Sequence, residues 1–205
     1  MRTLLAAALA CLPLAAWSAV PGQDPDWPCQ QRLVPQVSAG NFWSGELPAD
    51  AGAAASDPRV QKLVADTVSR DISDDEVAKG VAQFLKSLKG PERARIVPAA
   101  FLAVVDGING ERADIIQSLK DLNQRQRSIA AMVSDVNKDL AAIPENAEGA
   151  DGAKRDEINQ RKTFLTRDFT ETRQTMRYAC EVPGALDQRL GAVARQLQAG
   201  LAGKN

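Results

Sequence analysis

Apolar residues recur with a helical period along most of this chain, from residue 57 to its end. Val60, Leu63, Val64 and Val68 line one face of a segment that Asp57 can cap and Pro58 can begin, and the segment runs to about Arg70. Ser73 and Glu76 stand at capping-box spacing. Val77, Val81, Phe84 and Leu88 then share a face until Lys89-Gly90-Pro91 ends the helix. A third stretch, Ile96 to Val105, is apolar on nearly every side, with Pro98 in its first turn or at a kink. A helix without a polar face belongs at the centre of a domain.

The longest pattern follows. Ile115, Leu119, Leu122, Gln126, Ile129, Val133, Val136, Leu140 and Ile143 form an unbroken heptad seam with one polar member, Gln126. A helix over 111–143 would be about 50 Å long. A Pro-, Gly- and acid-rich turn at 144–152 leads to a second helix over 153–180. Its seam is Ile158, Lys162, Leu165, Phe169, Thr172, Met176 and Ala179. Two long helices joined by a short polar turn predict an antiparallel hairpin, 111–180; a parallel coiled-coil dimer is the alternative. If Ile143 faces Ile158, Cys180 falls opposite Asp121, well back from the tip. Pro183-Gly184 stops the second helix, and Leu186, Leu190, Val193, Leu197 and Leu201 outline a last amphipathic helix.

The sequence before residue 57 has no such period. Pro21, Pro25, Pro28, Pro35 and Pro48 preclude a long helix over 19–56. This segment reads as an extended strap that lays Trp27, Phe42 and Trp43 across a helical surface, with 49–56 as an Ala-rich linker. The expected fold is therefore all-α: a small helical bundle with a long antiparallel coiled-coil hairpin and an extended N-terminal strap. Residues 57–205 form the helical domain.

At the N-terminus, Arg2 precedes an uncharged apolar run from Leu4 to Leu14, and Ala16-Trp17-Ser18 suits cleavage. Residues 1–18 are expected to be a signal peptide directing the chain to the periplasm. Lipidation at Cys11 is the alternative, and the run is too short to span a bilayer. Cleavage would leave 187 of the 205 residues, with 24 basic against 26 acidic side chains. That balance argues against nucleic acid as a partner, because binding it needs a basic patch. No later stretch reads as a transmembrane segment.

Histidine is absent. This removes Ser-His-Asp and Cys-His catalysis, c-type haem attachment and most zinc sites, so no metal and no cofactor is expected. The two cysteines beyond the leader, Cys29 and Cys180, are expected to pair in an oxidising compartment; two free buried thiols are the alternative.

Three pieces have a recognisable look: Asp24-Pro25-Asp26-Trp27-Pro28-Cys29-Gln30-Gln31-Arg32 with Val34-Pro35 and Trp43; Asn109-Gly110-Glu111-Arg112 with Ile115-Ile116; and Arg177-Tyr178-Ala179-Cys180-Glu181 with Pro183. Together, over about a quarter of the chain, they resemble a group of uncharacterised exported proteins of proteobacteria. The resemblance implies export, a Cys29–Cys180 bridge and a helical body. It implies no reaction.

Candidate chemistry is sparse. Asp74, Asp75 and Glu76 sit where acids favour a helix dipole. Glu111 and Glu181, near Arg112, Arg173 and Arg177, could form an ion-pair network or an acid/base site. Arg161, Arg167, Arg173 and Arg177 could meet an anion, and Trp27 and Trp43 could box a ligand. Two functions follow. The favoured one is a non-catalytic interaction protein of the envelope, a scaffold, adaptor or chaperone that meets an envelope protein through its projecting hairpin. The other is a binder of a small ligand or envelope component in a basal pocket of Trp27, Trp43, Glu111, Arg112, Arg177 and Tyr178.

Overall fold

The structure, a computed structural model, describes residues 24–203. The expected leader, with its cleavage site near Ser18 and with Cys11, lies outside the described residues. The chain is all-α. Five helices follow a strap that has two short 3-10 turns, Ala39–Asn41 and Gly52–Ser56. They are α1 (Pro58–Val68), α2 (Asp74–Ser87), α3 (Gly90–Ala141), α4 (Gly149–Ala179) and α5 (Val182–Leu201). No strand occurs among the described residues.

The first two helices start as their caps dictate. The Asp57 carboxylate accepts the Arg59 amide at 2.8 Å, and Pro58 occupies the first turn of α1. Ser73 and Glu76 close a reciprocal capping box on α2. Gly90, at φ +40°, then turns the chain directly into α3, with Pro91 in its first turn. Lys89-Gly90-Pro91 thus begins the next helix as much as it ends the last.

The apolar centre and the first arm of the hairpin, read from sequence as separate helices, are one 52-residue helix, about 78 Å long. Asp106-Gly107-Ile108-Asn109-Gly110 looks like a break but is not one. Phe101, Val104, Val105, Ile108, Ile115 and Leu119 are all buried, so one apolar stripe crosses the glycines. Gly107 is there for packing: a Cβ on it would lie 2.7 Å from Cγ1 of Val64 on α1. Pro98 sits inside the helix, where its missing N–H leaves the Ala94 carbonyl without its usual donor.

The body of the protein packs the N-terminal half of α3 against α1, α5 and the strap, with α2 seated on α1 and α5. Leu190, Val193, Ala194 and Leu197 of α5 are buried against it. Trp43 of the strap stacks on Phe101 with ring centroids 4.7 Å apart. Residues 49–56 are no loose linker: Gly52–Ser56 winds into its turn and buries Ala54, because small side chains let the backbone approach α1 and α3.

Beyond the body, α3 continues and α4 returns antiparallel to it. Arg155 donates to the carbonyls of Leu140 and Ile143 beside the turn, and Arg125 pairs with Asp168 at 2.9 Å further down. Every member of the two apolar seams is buried or half-buried. Two boundaries differ from expectation. α4 starts at Gly149, within the turn predicted from composition. Pro183-Gly184 opens α5 instead of closing α4, since proline, which has no N–H, is tolerated in a first turn where an N–H would find no intrahelical partner.

Candidate binding groove at the foot of the long helix pair

Where the strap crosses the end of α4 and the start of α5, it leaves a groove of about 1350 Å³. One wall is strap residues 27–34 and another is α4, which presents Thr170, Arg173, Gln174 and Arg177 on a single face. Arg112 and Ile116 of α3 line it as well, and the first turns of α5, from Pro183 to Gln188, complete it.

Covalent and polar ties hold these walls together. Cys29 and Cys180 form a disulfide, with Cα atoms 5.6 Å apart. The Gln31 side chain donates to the Cys180 carbonyl, and the Trp27 indole donates to the Gln31 carbonyl at 2.7 Å, which leaves the ring buried in the wall. The strap is fastened on both sides of the groove. Before it, Asp24 pairs with Lys120 at 2.6 Å, Asp26 pairs with Arg127, and the Asn123 amide donates to the Asp26 carbonyl at 2.9 Å. After it, Asn109 engages both backbone groups of Val37, accepting its N–H at 2.8 Å and donating to its carbonyl at 3.1 Å. The partner cations hold the Asp24 and Asp26 carboxyls below the usual carboxylate range.

Arg112 is the structural centre of the site. It is only 3% exposed, yet it ties α3 to two other elements. Its guanidinium donates to the Val34 carbonyl of the strap at 2.6 Å, and to the Pro183 carbonyl at 3.0 Å and the Asp187 carboxylate at 2.6 Å on α5. A planar fork spreads five donors over three nitrogens and so can bridge three acceptors held in different directions. Its Nε hydrogen has no partner. Burial pushes the Asp187 carboxyl up, and the neighbouring Arg112 pulls it down by a smaller amount.

Five of the residues singled out from sequence, Trp27, Arg112, Arg173, Arg177 and Glu181, meet in this groove, together with the Cys29–Cys180 bridge. The others are elsewhere. Trp43 is committed to Phe101, so the two tryptophans make no common box. Glu111 pairs with Arg70 at 3.3 Å and does not line the groove that Glu181 lines, so those two acids do not share it. Tyr178 is exposed beside the groove under the Arg177 guanidinium, 5.3 Å from its ring centre. Hydrogen bonds from Gln174 and Arg177 draw its hydroxyl pKa down. Of the four arginines read as an anion site, Arg173 and Arg177 line the groove, Arg161 does not, and Arg167 pairs with Glu171 at 2.7 Å. Asp74 pairs with Arg189 at 2.7 Å, and Glu76 is consumed by the capping box.

Sequence reasoning missed Arg32, Asn109 and Asp187 as parts of the site. Asp187 left a trace. It lies one turn from Pro183 and Leu190, on the side of α5 that carries the apolar stripe, where a charge needs a buried partner. Arg32 and Asn109 left none, because nothing in their spacing says what the strap will cross.

The described residues contain no group of three or more Cys, Asp or Glu side chains placed to hold a metal ion, and no helix among them is long and apolar enough to cross a membrane. Comparison with protein-family models, with curated proteins and with solved structures finds no match.

Proposed function

We propose that this is an exported, non-catalytic interaction protein of the cell envelope, and that it holds its partner in the groove at the foot of the long helix pair. The leader-like N-terminus and the Cys29–Cys180 bridge support export to the periplasm. The observation that carries the binding reading is the groove. Its walls come from four separate segments, locked by a disulfide and by a buried arginine of one that bonds to two others. Rigid walls lower the ordering cost of binding.

The same observations move the interaction away from the hairpin tip. The apolar seams are spent between α3 and α4, and among the described residues the large apolar side chains exposed on α4 are Phe164, at 69%, and Tyr178 beside the groove. Single exposed apolar residues are ordinary on a surface and do not make an interface. The groove also exceeds the roughly 300–1,000 Å³ of pockets that enclose small ligands, which favours a segment of a partner protein over a small metabolite.

Photo-crosslinking in the native envelope tests this. A benzophenone amino acid at Gln30, exposed on the groove wall, should give a discrete protein adduct, while one at Ala150, in the first turn of α4, should not. Adducts from Ala150 alone, or from neither position, would sink the proposal.

A further inference from the structure

The groove has a charge that the rest of the chain lacks. Four arginines line it, Arg32, Arg112, Arg173 and Arg177, against two acids, Glu181 and Asp187, so the lining carries +2 in a protein whose net charge is −1. Arg112 and Asp187 neutralise each other at 2.6 Å. Among the described residues none of Arg32, Arg173 and Arg177 has a carboxylate partner within ion-pair distance. Several arginines elsewhere on the surface are matched, as in Arg59 with Asp57 and Glu92, Arg125 with Asp168, and Arg167 with Glu171, while Arg95, Arg161 and Arg195 stand unpaired among the described residues and apart from the groove. What sets the groove apart is that three unmatched arginines share it, one on the strap and two a single turn apart on α4.

Two further features narrow the ligand. The wall between the arginines is apolar, formed by Trp27, Leu33, Ile116, Met176 and the disulfide. And the strap passes the groove as non-helical backbone: the amides of Arg32, Leu33 and Val34 take part in no hydrogen bond among the described residues. Free main-chain donors beside alternating apolar and cationic side chains suit an extended chain, which can place acids on the arginines and apolar groups on the wall. A headgroup or a free anion would use the arginines and leave the wall and the amides idle.

Building on the groove as the binding site, we propose that its ligand is an extended acidic peptide segment of a partner protein, with carboxylates seated on Arg32, Arg173 and Arg177 and apolar side chains against Trp27 and Met176.

The test is fluorescence anisotropy on the mature protein with its disulfide intact. The probes are a labelled peptide of alternating Glu and Val, and the same peptide with Gln for Glu. The Glu peptide should bind with an affinity that falls steeply with added salt, and the Gln peptide should bind about tenfold more weakly. Arg173→Glu should weaken the Glu peptide by about tenfold, and Arg173→Gln by less. Arg173 is exposed and unpaired, so both variants keep the fold. Arg95→Glu, about 25 Å along α3 from Arg112, should bind as the parent does. Equal binding of the two peptides, indifference to Arg173→Glu, or an equal loss in Arg95→Glu overturns the proposal. So does Arg173-dependent binding of phosphatidylglycerol vesicles or of inorganic phosphate in place of the peptide. If peptide binding fails while the Gln30 adduct persists, the ligand chemistry is wrong and the groove stands; if both fail, the groove reading falls too.

Discussion

Arg112→Met asks whether one buried arginine holds the groove together. Methionine keeps most of the unbranched stem that packs in the wall and removes the guanidinium. Three acceptors then lose their donor: the carbonyls of Val34 and Pro183, and the Asp187 carboxylate. A hydrogen bond from a charged donor contributes about 1.5–3 kcal/mol, so three sum to an upper bound near 9 kcal/mol. Water recovers part of that. The Asp187 side chain is 37% exposed and Val34 is on the surface, so two of the three acceptors can be rehydrated, whereas Pro183 is buried. A net loss of about 3 kcal/mol is expected, at the low end of the range for breaking a buried ion pair. For a chain of this size that is roughly 6–12 °C in Tm. Urea denaturation of the disulfide-intact protein measures it. A cycle with Asp187→Asn should show a coupling of about 1–3 kcal/mol between the two residues, since they share a contact. A loss below about 1 kcal/mol, or strictly additive effects, would refute the bracing role given to Arg112.

The other outcomes can be checked on the same preparation. Replacing Cys29 and Cys180 with serine opens a loop of 151 residues; chain entropy puts the loss at about 5 kcal/mol and typical bridges deliver 2–4. The helical circular dichroism should survive, because Asp24–Lys120, Asp26–Arg127 and Asn109 still fasten the strap, and its collapse would contradict that account. Gly110→Ala should stabilise α3 by roughly 0.5–1 kcal/mol, since a Cβ there meets nothing within 4 Å. Gly107→Ala should destabilise by about 1–3 kcal/mol against Val64 and Val68, and equal effects in urea titrations would negate the packing argument. Acidification should weaken the fold. Cationic partners hold Asp24, Asp26, Asp57 and Glu92 below their unfolded pKa values, so their stabilisation is complete above about pH 4–4.5 and disappears as pH falls through the lower folded values. Asp187, whose pKa burial raises, works in the opposite sense but alone, and a stability that rises from pH 5 to pH 3 would disprove the balance.

Much of the architecture was legible in the residues because it rests on local rules. Asp57-Pro58 and the Ser73/Glu76 box start helices wherever they occur, and the seams from Ile115 to Ile143 and from Ile158 to Ala179 can bury their apolar side chains only by turning inward. Local rules misled where a residue had a distant reason. Gly107 resembles a helix breaker until Val64 is placed against it, and the Ala-rich stretch before Asp57 resembles a linker until its turn is seen packed on α1 and α3 with Ala54 buried.

By itself, then, the sequence determined the helical class, the two seams and the pairing partner open to each of Cys29 and Cys180. Tertiary structure decided the rest. It joined the apolar centre and the hairpin arm into one helix, sent Trp43 to Phe101 and Glu111 to Arg70, and brought Arg32, Arg173 and Arg177 to one groove. The reason is range. Caps and heptads act within a few residues, whereas the groove is set by where a strap without periodicity crosses helices some 80 to 150 residues away, and that crossing depends on contacts such as Arg112 to Val34 and Cys29 to Cys180 that exist only once the helices have packed.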